Sequence, residues 1–114
     1  MKDKLNDIER FNHILTHYNE LIDELERIKT NDDPVIKDLL WRKCVYMDLF
    51  QIGEHVNNLS PEIKIQLNSR DCRGIVDIRN TIGHGYVVAD PKKIMNTIDQ
   101  DLPKLITRLK ELFE

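Results

Sequence analysis

The chain has 114 residues, enough for one domain and too few for two ordinary ones. Hydrophobic residues make up 40% and charged residues 32%, a balance that excludes a disordered chain. No apolar run reaches the roughly 20 residues that a membrane-spanning helix needs, and the net charge of −3 argues against a protein that coats nucleic acid without specificity.

We expect a cytoplasmic protein with no membrane association. The first residues lead directly into an amphipathic pattern, without the features of a signal peptide. Cys44 and Cys72 lie far apart and form no CxxC pair, so we interpret them as reduced thiols.

Apolar residues recur every three or four positions from Leu5 to Ile28, which predicts a long amphipathic helix over residues 4–29. A second helix is predicted from Asp33 to near Asn58. The spacing of its apolar residues predicts an inner side made of Ile36, Leu39, Leu40, Cys44, Met47, Phe50 and Val56.

Three of the four prolines directly follow a residue that caps helices well, in the pairs Asp33-Pro34, Ser60-Pro61 and Asp90-Pro91. A capping side chain followed by proline marks the start of a helix, because the first turn does not need proline's missing N–H. These signals predict a short helix after Ser60 and a last one from Pro91 towards Phe113, which Pro103 should kink or restart. The apolar stripe of Ile75, Ile78 and Ile82 predicts a further helix over 72–83.

The complete pattern predicts an all-α fold, an antiparallel bundle of four to five helices forming one domain over residues 1–114. Charge is unevenly spread along it. Residues 1–33 carry five basic and nine acidic side chains, whereas residues 70–93 carry five basic and three acidic ones. We therefore expect any polyanion to contact the later segment.

That later segment contains the sequence Arg79-Asn80-Thr81-Ile82-Gly83-His84-Gly85-Tyr86, where the fourth helix should end. In a helix Asn80 and His84 share a face, with Asp77 on the same side. Arg79 lies about 140° from His84, so their convergence requires an unwound end at Gly83, an arginine that curls round, or a second copy of the helix.

An arginine and a histidine suit the cleavage of a phosphodiester without a metal ion. A histidine titrates near neutral pH, and can take the proton of a ribose 2′-hydroxyl or give one to the leaving oxygen. Arginine can donate two N–H bonds to the phosphate as negative charge develops there. A plain helix end with an incidental histidine is the alternative.

The motif Arg-x4-His, with Asn80 after the arginine and Tyr86 after the histidine, resembles the signature of the HEPN superfamily of α-helical ribonucleases. In particular, the chain resembles the HepT-type toxins of toxin–antitoxin pairs over nearly its whole length. The resemblance extends to Gly53-Glu54 late in the second helix, Leu59-Ser60 and Asp101-Leu102-Pro103.

This resemblance implies a metal-independent ribonuclease toxin of a type VII-like system, with Arg79 and His84 as the catalytic pair and Asn80 as their support. It implies no cofactor and no metal. It also implies a homodimer whose two motifs share one RNA-binding cleft, and a minimal nucleotidyltransferase antitoxin that silences the toxin by transferring AMP to Tyr86. Glu54, Arg73 and Asp77 are candidates for lining the cleft.

The family often has a proline-tryptophan pair before the motif helix, where this chain reads Ser69-Arg70-Asp71-Cys72-Arg73-Gly74. This departure leaves the substrate preference open. It also leaves two alternatives: a non-catalytic HEPN module that binds nucleotide or RNA or accompanies the transferase as its regulatory subunit, and a purely structural helical dimer.

Weaker candidates lie outside the motif. His13, His17 and Glu20 follow one another at helical spacing and form half of a metal site, but no second ligand cluster accompanies them, so a solvated helix face is favoured. We predict His55 to lie at the surface. Trp41 and Tyr46 form either a second face of the core or an exposed contact.

Overall fold

The computed structural model describes residues 5–67, 69–85 and 90–114. In these ranges the regular structure is helical throughout, which confirms the predicted all-α fold. The elements are α1 (Asp7–Thr30), α2 (Pro34–Leu39), the π-helical segment π1 (Leu40–Val45), α3 (Tyr46–Asn57), α4 (Pro61–Gln66), α5 (Ser69–His84), α6 (Pro91–Asn96), the π-helical segment π2 (Thr97–Asp101) and α7 (Leu102–Phe113).

The predicted helix starts at Pro34, Pro61 and Pro91 are all confirmed. Asp33 accepts a hydrogen bond from the N–H of Val35 at 2.9 Å, and Asp90 caps α6 in the same way. These caps satisfy backbone N–H groups that have no partner inside the helix.

Helix α3 lies at the centre of the arrangement, packed against α1 on one side and α5 on the other. Helix α5 also contacts π2 and α7. The apolar residues between these helices form one core, in which Ile14, Leu49, Ile52, Ile75 and Leu105 are almost completely inaccessible to solvent. The core therefore fixes the position of α5, which carries the sequence motif, relative to α3.

The predicted inner side of the second helix is wrong in part. Ile36, Leu39 and Met47 are each more than two-fifths exposed, and the buried positions are Val45, Tyr46, Leu49, Ile52 and Val56. Because a π-helical turn holds more residues than an α-helical one, π1 shifts the phase of the apolar stripe between α2 and α3. The predicted inner side assumes one constant period across this point, which the structure does not have.

Trp41 lies in the same π-helical segment, π1, and packs against Tyr46 at the start of α3. Its indole N–H donates to the hydroxyl oxygen of Tyr46 at 3.0 Å, and the two rings meet edge to face. Tyr46 is buried and Trp41 is half-buried against the core, so the pair forms a second core face. Similarly, π2 precedes Pro103, and α7 begins at Leu102, which confirms the restart predicted there.

Within the described residues, no helix combines the length and the apolar character required to cross a bilayer. Cys44 and Cys72 are both free, and burial raises the pKa of each thiol. Protonated, partly buried thiols of this kind are weak nucleophiles.

Candidate active site

Gly53 allows α5 to approach α3 closely. A Cβ atom at this position would overlap the Cβ of Arg79, and would lie 3.0 Å from Arg79 Cγ and 3.1 Å from the carbonyl oxygen of Ile75. Any larger residue would therefore push the two helices apart. The close approach brings Arg79 next to Glu54, the residue that follows the glycine.

The guanidinium group of Arg79 is held on three sides. Its Nε and Nη2 donate to the same carboxylate oxygen of Glu54, at 2.8 and 2.5 Å, and its Nη1 donates to the side-chain oxygen of Asn80 at 2.7 Å. Its central carbon lies 5.5 Å from the centre of the Phe50 ring. Of the five N–H donors of an arginine, two have no partner among the residues that the structure describes.

Helix α5 continues through Gly83 and ends at His84. Gly85 then has a φ of 132°, a conformation that favours glycine, and its N–H bonds the carbonyl oxygen of Ile82 at 3.1 Å. The predicted glycine-mediated helix end is confirmed at Gly85. The helix is not unwound at Gly83, so that route for bringing Arg79 and His84 together is excluded.

The motif residues nevertheless meet in one depression of the surface. Phe50, Arg79, Asn80, Gly83 and His84 line a concave space of about 260 Å³. His84 and Asn80 are exposed, whereas the side chain of Arg79 is 28% exposed. Arg79 donates to Asn80 within the same helix, so a single copy of the chain presents a fixed guanidinium and an accessible imidazole in one depression.

The other predicted cleft residues have different surroundings. Glu54 holds Arg79, as described above. Arg73 lines a depression next to Cys72 and Val76, and Asp77 lines one next to Lys92 and Lys93. Arg73 and Asp77 are exposed, as are Asn80 and His84, and the helical period places all four on one face of α5. Tyr86 lies outside the described residues.

A second group of side chains consists of His55, which follows Glu54 in the sequence, and its neighbours Arg10 and His13 on α1. The sequence pattern did not predict that these side chains meet. His55 is half-buried, and its ring stacks on that of His13 with centroids 4.9 Å apart. Burial, followed by the neighbouring His13 and Arg10, lowers the pKa of His55 to about 4. The neutral ring accepts a hydrogen bond from Arg10 at 3.2 Å through Nδ1, since arginine can only donate.

The prediction that His55 lies at the surface is therefore wrong in part, because the residue is half-buried against protein. The solvated-face interpretation is also wrong for His17, whose Nδ1 lies 2.9 Å from the Asp48 carboxylate. Both errors have one physical reason: the partners lie on another helix, 31 to 45 residues away in sequence. The periodicity of one helix carries no information about them.

Comparison with known proteins gives the family. The model of a protein family described as "Ribonuclease HepT-like" matches residues 2–112 of the chain. The chain is also 28% identical over 102 residues to a protein named "Putative RNase TTE0752" from Caldanaerobacter subterraneus subsp. tengcongensis, and the match covers 90% of this chain and 89% of that protein. No solved structure matches. Because the family match spans nearly the complete chain, this protein belongs to the HepT-like ribonuclease family.

Proposed function

We propose that this protein is a metal-independent endoribonuclease toxin, with Arg79, Asn80 and His84 as its catalytic residues. The observation that carries the proposal is the common depression in which these three side chains meet. The family match and the relative named as an RNase support the same class of activity.

In the proposed reaction, His84 takes the proton of a ribose 2′-hydroxyl, and the 2′-oxygen attacks the adjacent phosphorus. The bond from phosphorus to the 5′-oxygen then breaks, and that oxygen receives a proton from an imidazolium group. The products are a 2′,3′-cyclic phosphate and a free 5′-hydroxyl. The exposure of His84 at the end of α5 suits this role, because the imidazole must reach a polymer that stays outside the protein.

Arg79 supplies the positive charge for the phosphate. Glu54 and Asn80 occupy three of its N–H donors and fix the plane of the guanidinium, which leaves two donors for phosphate oxygens. A donor that is already oriented needs no rearrangement as negative charge develops in the transition state. Glu54 is thus proposed as a positioning residue.

RNA would approach along the exposed face of α5. The depression beside Asp77 has a volume of about 410 Å³ and is also lined by Lys92 and Lys93 at the start of α6. Two lysines next to the catalytic face offer charge to a phosphate backbone. A homodimer formed around this face would place two copies of the motif in one cleft, as the family resemblance implies.

The direct test is cleavage of a short RNA by the purified chain in the presence of EDTA. We expect His84→Ala and Arg79→Ala each to reduce cleavage by about 10²-fold or more. The controls are His13→Ala and Arg42→Ala, which remove the same side chains from exposed positions on α1 and π1. Replacing the 2′-hydroxyl at the cleavage point by hydrogen should stop the reaction.

Unchanged cleavage by His84→Ala would refute the proposed role of the histidine. Loss of cleavage in EDTA that is restored by a divalent ion would refute metal independence. Mixing the inactive His84→Ala and Arg79→Ala proteins tests the shared cleft. If each active site uses residues of both subunits, the mixture should recover part of the wild-type activity.

A nucleotidyltransferase partner is proposed from the resemblance and from the position of Tyr86, two residues after His84. Transfer of AMP to the hydroxyl of Tyr86, with release of pyrophosphate from ATP, would add a negative charge two residues after His84 in the sequence. Mass spectrometry after incubation with the transferase and ATP should show added adenylate on wild type and none on Tyr86→Phe. The same mass gain in both would refute the assignment.

The competing proposal is a non-catalytic regulatory subunit of the transferase. The ion pair between Arg79 and Glu54 favours it, since a neutralised arginine attracts phosphate less strongly. RNA turnover by the wild type that Arg79→Ala abolishes would exclude this proposal. Under either proposal the protein would act in the cytoplasm, where Cys44 and Cys72 would stay reduced.

A further inference from the structure

We propose that His17, Glu20 and Asp48 form a binding site for a divalent transition-metal ion, with Zn²⁺ the best match, between α1 and α3. The site is distinct from the depression at Arg79 and His84, and it does not depend on the proposed ribonuclease activity. The sequence offers only the α1 half of this site. The fold adds Asp48 from α3, which lies 31 residues further along the chain.

The three donor groups are close enough for one ion to bind all of them. His17 Nδ1 lies 2.9 Å from Asp48 Oδ1 and 3.7 Å from Glu20 Oε2, and one donor atom of each residue lies within 4.8 Å of the other two. In a tetrahedral zinc site with bonds of about 2.0–2.2 Å, two ligand atoms are separated by about 3.4 Å. The observed separations from His17 lie on either side of that value.

A buried oxygen without a partner belongs to this cluster. The Asp48 residue is only 3% exposed, and within the described part of the chain its second carboxylate oxygen, Oδ2, has no hydrogen-bond partner. The Oε1 atom of Glu24, one helical turn after Glu20, is also buried without a partner. Burying an unpaired carboxylate oxygen is costly, and a cation is a partner that satisfies it.

A shared proton is the competing explanation for these oxygens. Burial and the nearby Asp48 raise the pKa of Glu24 to about 8, as expected when carboxylates are crowded together. The nearby Asp48 also raises the pKa of Glu20, so a proton can be shared among all three carboxylates, whereas a metal ion uses the imidazole of His17 as a further ligand. The two explanations therefore differ in whether the cluster binds zinc.

The donor set indicates the kind of ion. Calcium and magnesium prefer oxygen ligands alone, whereas one imidazole with two or three carboxylates is suited to zinc and similar first-row ions. Since His17 and Glu20 belong to α1 and Asp48 to α3, the ion would tie these helices together. Its expected role is therefore stability of the α1–α3 contact.

The experiment is calorimetric titration of ZnCl₂ into the full chain after EDTA treatment and dialysis. We expect one ion per chain, with a rise in the thermal midpoint. Glu20→Gln and Asp48→Asn should each weaken zinc binding by about tenfold or more, since even residues behind the ligands contribute 10–100-fold in metal sites. Glu20→Gln changes an exposed position, so it tests the site even if Asp48→Asn does not fold.

Two matched controls lie on α1. Glu26→Gln removes the same charge as Glu20→Gln at an exposed position, and His13→Ala removes the imidazole one turn before His17. Both should bind zinc like the wild type. Loss of binding in His13→Ala with normal binding in Glu20→Gln and Asp48→Asn would show a surface histidine pair instead. No binding by wild type at about 1 mM zinc would leave the shared proton as the explanation. Either result overturns the proposal.

Discussion

Gly53→Ala tests whether the contact between α3 and α5 determines the geometry of the proposed active site. In a well-packed interior, carbon atoms in contact lie about 3.5–4.0 Å apart. An alanine Cβ would lie 3.0 Å from Arg79 Cγ and 3.1 Å from the carbonyl oxygen of Ile75, and closer still to Arg79 Cβ. Neither the α5 backbone nor the first atoms of a helical side chain can rotate away, so the helices must separate by about 1 Å.

The expected costs follow from that displacement. Overpacking of this kind destabilises a protein by about 1–3 kcal/mol, which corresponds to a fall of roughly 4–12 °C in the thermal midpoint of a chain of this size. A displacement of about 1 Å at a catalytic group reduces the rate by up to about 10²-fold. Thermal unfolding followed by circular dichroism, together with RNA cleavage by folded protein, measures both effects.

Gly74→Ala is the matched control, because it also replaces a helical glycine by alanine, in α5 instead of α3. Its added Cβ would meet the end of the Asp101 carboxylate, which can swing aside on a flexible side chain. We expect Gly74→Ala to cleave RNA like the wild type. If Gly53→Ala matched the wild type in both stability and activity, the close approach of the two helices would not be the cause of the arginine's position.

Three further predictions concern single groups. Glu54→Ala should reduce cleavage more than Glu54→Gln, because the amide oxygen of glutamine can still accept a hydrogen bond from Arg79; equal losses would contradict the positioning role. In EDTA, the stability of the wild type relative to His55→Gln should fall as the pH decreases from about 6.5 towards 4, because His55 keeps a folded-state pKa of about 4 while the unfolded chain takes up the proton near 6.5. Denaturant titrations of both proteins measure this difference, in which the opposite contribution of Glu24, whose pKa is raised to about 8, cancels; a constant difference would contradict the prediction. Asp90→Ala should cost about 1 kcal/mol through the lost bond to the N–H of Lys92, and an unchanged denaturation midpoint would exclude this cap.

Helix starts were predictable because their causes are local. A capping side chain and the following proline act within three residues, as Ser60 and Pro61 do at the start of α4. The faces of the helices were predictable only while the period stayed constant. At π1 the period changed without a sequence signal such as proline or glycine, and the prediction for Ile36 and Met47 was wrong.

The candidate site also has one part that the sequence predicts and another part that depends on how the helices pack. Its residue types are visible in the sequence because Arg79, Asn80 and His84 lie within six positions. The contact of Arg79 with Glu54 spans 25 residues and depends on how two helices pack, so it is not visible in the periodicity of either helix. The Gly53-Glu54 pair offered a partial signal, since a glycine inside a helix indicates either a cost to stability or a close neighbour.

Helix packing and the geometry of the proposed active site are linked through two adjacent residues. Gly53 sets the distance between α3 and α5, and the next residue, Glu54, holds the guanidinium of Arg79. A change that separates these helices must therefore move the proposed phosphate-binding group as well. The cluster around Asp48, about one and a half helical turns earlier on α3, faces α1 instead. Substitutions there should lower stability and zinc binding while the folded fraction keeps its cleavage rate, which distinguishes a structural metal site from a part of the active site.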